Sequence, residues 1–120
     1  MILQFGEFIA EKRKGQGISL RGMADELGIT PAYLSDIEKS RRNPPDIDTL
    51  EKMARLLKIT PEEKNTMLDY AGKDRKQIAP DLPDYIMDTP AARTALRKAR
   101  DKGKEDDFWH EIIKKLDEEE

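Results

Sequence analysis

Cysteine is absent from this 120-residue chain, and histidine occurs once, at His110. Disulfides and thiolate zinc sites are therefore excluded, and nucleophilic catalysis lacks its usual parts. No Gly-rich phosphate loop is present either, so nucleotide chemistry has no evident cradle. Asp107 and His110 stand at i and i+3 and can share a metal on a helix, but such a pair in a charge-rich helix reads as a solvated face. No metal, no cofactor and no enzymatic activity are expected. Long apolar runs are also missing: nothing approaches the roughly 20 consecutive apolar residues of a membrane span. Met1 to Ala10 carries Gln4 and Glu7 and no cleavage-like pattern. The expectation is an unprocessed cytoplasmic protein with no membrane partner.

A surplus of basic charge, the usual footprint of nucleic-acid binding, is lacking as well, since the formal net charge is -3. Its distribution changes the reading. Residues 1–75 hold 13 Lys/Arg and 13 Asp/Glu, whereas residues 76–120 hold 9 and 12, so the deficit lies entirely in the second part. Lys12, Arg13, Lys14, Arg21, Lys39, Arg41 and Arg42 fall in the balanced part, and a local basic patch binds phosphates whatever the total charge.

What the chain does have is helical spacing and punctuation. With 37% hydrophobic and 39% charged residues, the core must be small, which suits short helices around a shared centre. Phe5, Phe8 and Ile9 give a first helix one apolar face, ending at Gly15-Gln16-Gly17. Ser19 caps a second helix carrying Leu20, Met23, Ala24 and Leu27, which Gly28 is placed to end. Gly22 inside that helix costs about 1 kcal/mol relative to Ala. Thr30 caps a third helix with Pro31 at its first position, and Leu34 and Ile37 face inward. Asn43-Pro44-Pro45 breaks the chain, Asp46 caps a fourth helix bearing Leu50, Met53, Ala54 and Leu57, and Thr60-Pro61-Glu62-Glu63 opens a fifth with Met67, Leu68 and Ala71. The expected organisation is a helical domain over 1–72, a linker or extended strap over 73–84, and a C-terminal helical extension over 85–120. In the extension, helices are expected from Pro90 to about Lys102 and from Asp106 to Leu116, with Gly103 between them.

Two short capped helices joined by a tight Gly-containing turn, with a third apolar helix following, meet the physical requirements of a helix-turn-helix. The run SLRGMADELGITPAYLSDIEKSRRNPP (residues 19–45), followed by LEKMARLL (50–57), closely resembles the Cro/C1-type (XRE) family of regulators. Ala24, Gly28, Leu34, Ile37 and Glu38 match at once, and the resemblance covers about residues 5–72. It implies an all-α fold: a five-helix phage-repressor-like domain, acting as a homodimeric transcriptional repressor on a palindromic double-stranded DNA operator. It also places Thr30, Ala32, Tyr33, Ser35 and Asp36 on the exposed side of a recognition helix. A hydroxyl there can bond phosphate or a base edge, Ala32 can touch a thymine methyl, and Asp36 can accept from a cytosine amino group. Many family members carry a basic or amide residue where Asp36 stands, and a carboxylate repels phosphate. The plainer reading is that Tyr33 is half-packed and Ser35 merely solvated.

Phosphate positioning is expected from Ser19 and Arg21 at the start of the second helix, and from Lys39, Arg41, Arg42 and Asn43 after the third. The resemblance further implies a partly buried ion pair between Arg13 and Glu38 that orients the reading head. Ser40 stands where the family often has Gly, so a strained or altered turn is expected after the third helix. The rival reading is an antitoxin-type or partner-regulated interaction protein. It rests on Phe108, Trp109, Ile112, Ile113 and Leu116, a stripe too apolar to stay exposed on so charged a chain and too large for a lone helix to bury. That stripe either dimerises the protein, covers helices 1 and 5 of its own protomer, or binds another protein.

Overall fold

In the computed structural model, residues 4–119 are described, and every regular element among them is helical. The order is α1 (Phe5–Gly15), α2 (Leu20–Leu27), α3 (Pro31–Glu38), α4 (Ile47–Leu57), α5 (Pro61–Asp74), α6 (Pro83–Asp88), α7 (Pro90–Asp101) and α8 (Asp106–Asp117). Helix α6 is additional to the sequence-based expectation: six residues opening on Pro83 are too short to show a period. The chain divides into two compact units, one ending at Pro83 and the other beginning at Asp84. No helix among the described residues is long and apolar enough to cross a membrane.

Local chemistry sets where the helices of the first unit start. Ser19 Oγ accepts from the Gly22 N–H at 2.9 Å, Thr30 Oγ1 from the Tyr33 N–H at 3.0 Å, and the Asp46 carboxylate from the Thr49 N–H at 2.9 Å. Thr60 and Glu63 close a reciprocal capping box. Each such cap is worth about 1 kcal/mol. Gly28 ends α2 at φ 73°, in the left-handed region that glycine enters without a Cβ penalty. Gly28, Ile29 and Thr30 alone separate α2 from α3, which makes the turn tight. Gly22 has a local reason too: a Cβ there would lie 2.9 Å from the capping Ser19 Oγ.

Helix α1 has no local side-chain cap. Its first N–H groups are instead satisfied by Asp74, whose carboxylate accepts from Phe5 N at 2.9 Å and Gln4 N at 3.4 Å. The end of α5 thereby fastens the start of α1. Phe5, Ile9, Met23, Leu34, Ile37, Leu50, Met53, Leu57 and Met67 are essentially fully buried and form one continuous core, so all five helices share a single centre. Past α5 the strap turns back: Gln77 N donates to Gly72 O at 2.8 Å, and Ala79 is buried in the same core. A Cβ on Gly72 would sit 2.7 Å from the Ile78 and Ala79 backbone, so the crossing needs that residue bare.

Two of the fastening carboxylates are held below their ordinary range. The Thr49 N–H lowers Asp46, and the Lys12 ammonium with the Thr60 N–H lowers Glu63. A carboxylate with a depressed native pKa contributes stability that is present above its unfolded value and lost as pH falls through the native one. The melting temperature is therefore expected to hold from about pH 8 to about pH 5 and to drop below about pH 4. Thermal melts monitored by circular dichroism check this. Asp46→Asn with Glu63→Gln should lower the plateau and flatten the acid limb, and an unaltered acid limb in that variant would contradict the assignment.

Candidate nucleic-acid interface

Helix α3 is anchored by Leu34 and Ile37, which are buried, while Thr30, Ala32 and Tyr33 are exposed along its N-terminal part. Ser35 and Asp36 are half-buried on the same short helix. Thr30 Oγ1 is already engaged as the helix cap, so only its hydroxyl proton and remaining lone pair stay available. Ser19 caps α2, and Arg21 is exposed beside it. Lys39, Arg41, Arg42 and Asn43 are all exposed in the segment leaving α3.

That segment has a defined shape. Ser40 takes φ 61°, its N–H donates to Ile37 O at 3.1 Å, and the Arg41 N–H reaches back to Asp36 O at 2.8 Å. The carbonyls at the end of α3 are thus satisfied by a left-handed reversal, with a serine where glycine would carry no penalty. The reversal brings both arginines over the helix they follow. Arg41 Nη1 lies 3.7 Å from Asp36 Oδ1, and Arg42 Nε lies 3.9 Å from Asp36 Oδ2. The Arg42 guanidinium also stands 4.6 Å from the centre of the Tyr33 ring, within the range of a cation–π contact. Tyr33 is therefore neither packed in the core nor simply solvated. It carries an arginine.

Arg13 and Glu38 meet as a bidentate pair. Arg13 Nε donates to Glu38 Oε2 at 2.7 Å and Nη2 to Oε1 at 3.0 Å, while Nη1 donates to Ile18 O at 2.9 Å. Both side chains are about nine-tenths buried. Hydrogen bonds to Glu38 raise the Arg13 pKa against the opposing effect of burial, so the guanidinium stays charged. The pair ties α1 and the α2 entry to the last residue of α3.

A scan of family models matches the Helix-turn-helix family over residues 9–64. The transcriptional regulator DdrOP3 of Deinococcus deserti is 32% identical over 119 residues, spanning 88% of this chain and 90% of the relative. The chain belongs to the Cro/C1-type helix-turn-helix family of transcriptional regulators. SinR of Bacillus subtilis is 36% identical over 64 residues, 53% of this chain and 55% of SinR. Among solved structures, a SinR protein/SinI protein complex aligns with a TM-score of 0.48 at 25% identity, covering 94% of each chain. Like its family, this helix-turn-helix regulator binds DNA.

Several residues that shape the candidate interface of this regulator escape sequence reading. A Cβ on Gly6 would lie 2.5 Å from the carbonyl oxygens of Ile37 and Glu38, so α1 packs backbone-to-backbone against the end of α3. Arg75 donates through Nη2 to Pro44 O and so holds the loop that carries Arg41, Arg42 and Asn43. Its Nε is buried and has no partner among the described residues. Tyr33, Arg41, Arg42, Asp74 and Arg75 line a cleft of about 580 Å³ between that loop and the start of α1. One signal was available for Asp74: Gln4 stands at the N-cap position where Ser, Thr, Asp or Asn would cap, which leaves the first turn of α1 in need of a distant acceptor. The apolar residues of α8 lie in the second unit, where Ile113 is 51% and Leu116 58% exposed.

Proposed function

We propose that α3 is the recognition helix of a repressor that acts as a homodimer on a palindromic operator in the cytoplasm. The observation that carries this reading is the two-sidedness of α3: Leu34 and Ile37 are buried, and Ala32 and Tyr33 stand exposed on a helix followed directly by a loop bearing two arginines. Thr30, Ala32, Tyr33 and Ser35 meet base edges or the adjacent phosphates, because the N-terminal part of such a helix enters the major groove. Ser19, Arg21, Lys39, Arg41, Arg42 and Asn43 grip the phosphates that flank it, which fixes register without reading sequence. The Arg13–Glu38 pair acts through orientation and touches no DNA.

A duplex recovered by the protein from a random-sequence pool gives the operator, and a scrambled duplex gives the background. Arg41→Ala with Arg42→Ala is expected to weaken both duplexes alike. It should also make log K against log salt shallower by roughly 0.9 for each phosphate that is no longer neutralised. Tyr33→Ala is expected instead to change preference among operator variants, by about 1–3 kcal/mol at the affected base pair. A uniform loss for Tyr33→Ala, or an unchanged salt slope for the arginine variant, would remove that residue set from its assigned role.

Dimerisation is assigned to the second unit. Tyr85, Met87, Leu96, Phe108, Ile113 and Leu116 are exposed there, and Ala99 is the one buried apolar residue among its described residues. So short a unit, with that much apolar surface in water, is incomplete alone. A second copy of the same unit supplies a matching face, as a two-fold interface requires. Trp109, stacked edge-on against Phe108 with ring centres 5.0 Å apart, is the anchor, since large aromatic residues dominate interface energetics.

A further inference from the structure

The carboxylate of Asp36 sits on α3 yet faces the two arginines of the following loop rather than open solvent alone. The left-handed residue Ser40 and the Arg41 N–H to Asp36 O bond turn the chain back over the helix end. Arg41 and Arg42 then approach the two oxygens of one carboxylate at 3.7 and 3.9 Å, and Arg42 rests on the Tyr33 ring. These are charge contacts too long to be hydrogen bonds, and the arginines remain more than half exposed. The arrangement is therefore loose enough to be exchanged for another partner.

We infer that Asp36 is a specificity-determining residue that works by changing partners: in the free protein it pairs with Arg41 and Arg42, and on the operator it accepts from a base amino group while the arginines take phosphates. The inference rests on the assignment of α3 and its loop to the DNA surface. Non-specific binding draws almost entirely on phosphate contacts. On unrelated DNA the arginines must leave Asp36 to reach phosphate, and the carboxylate is then stranded beside a polyanion with no donor. On the operator, a cytosine or adenine amino group in the major groove replaces the departed cations. The carboxylate thus penalises wrong sequences more than the right one, by a repulsive element rather than a stronger attractive one. A chain with net charge -3 gains discrimination in this way without a strongly basic surface.

The test uses the full chain, the duplex recovered from the random pool, and its scrambled counterpart. Asp36→Asn preserves shape and removes the charge. It is expected to raise affinity for the scrambled duplex roughly three- to tenfold, to steepen its salt slope by about 0.9 per additional phosphate neutralised, and to lower the operator-to-scrambled ratio. In an Arg41→Gln, Arg42→Gln background the same change should give a smaller gain, because only the repulsion between the carboxylate and phosphate is then relieved and no cations remain to be released. Equal gains on both duplexes would mean general repulsion and overturn the inference. So would a gain of undiminished size without the arginines, or a loss confined to the operator with the scrambled duplex unaffected. An unchanged far-UV melt confirms that the substitution leaves the fold intact. If the wild-type chain prefers no duplex over a scrambled one, the DNA-surface assignment itself fails, which is a different result from any of these.

Discussion

Glu38→Ala is expected to destabilise the first unit by about 3–5 kcal/mol, the usual cost of stranding one partner of a buried ion pair. For a unit of this size that corresponds to a fall in melting temperature on the order of 15–30 °C. The large figure does not mean that the pair itself contributes that much. Desolvation offsets most of the attraction in a buried pair, and the penalty arises because Arg13 keeps its charge while giving up two of its three hydrogen bonds. Operator affinity should fall with stability, because Glu38 is the last residue of α3 and sets its angle against α1. Exchanging the two residues should restore neither fully, since a glutamate at position 13 would face the Ile18 carbonyl that Arg13 now satisfies. Replacing both by apolar residues of similar volume should recover much of the stability. A Glu38→Ala protein that melts within about 2 °C of wild type would show that the pair is not structurally required.

Truncation after Pro83 is expected to leave a folded monomer whose operator affinity is lower by on the order of 100-fold or more, the gain that linking two half-site contacts provides. The cut falls where the chain divides into its two units and spares the buried Ala79 that closes the first core. Half-sites one helical turn apart require something to hold two reading heads at roughly 34 Å, and the second unit is the part assigned to do so. Sedimentation equilibrium and binding to a full and a half operator measure the two consequences together. Trp109→Ala in the whole chain should reproduce the loss of dimer with the first unit's melt unaltered. A truncated chain that stays dimeric would move dimerisation to the first unit and leave another protein as the better occupant of the α8 stripe. A truncated chain that aggregates would mean that the second unit covers its own protomer.

Much of the helical organisation was legible because the determining signals are local. Ser19, Thr30, Asp46 and Thr60 each announce a helix start by a side chain that reaches only three residues ahead. Gly28 announces an end through its own backbone freedom. The apolar residues at helical spacing in the first unit are those found in its core, because periodicity reports burial directly. Arg13 with Glu38 was legible only through family resemblance, since nothing in a separation of 25 residues indicates that two opposite charges will meet.

What sequence alone determined, then, is where the helices lie and which face of each is apolar. Tertiary structure decided the contacts that depend on approach between distant segments. Gly6 reads as an ordinary break in helix propensity until α1 is laid against α3, where the carbonyls of Ile37 and Glu38 leave no room for a Cβ. Asp74 reads as one acid among many until the end of α5 arrives beside the uncapped start of α1. Asp36 reads as a base contact alone until Ser40 reverses the chain and adds two arginines beside the same carboxylate. Short-range bonding is encoded in neighbouring residue types, whereas steric and charge contacts between segments depend on distances that exist only once the core has formed.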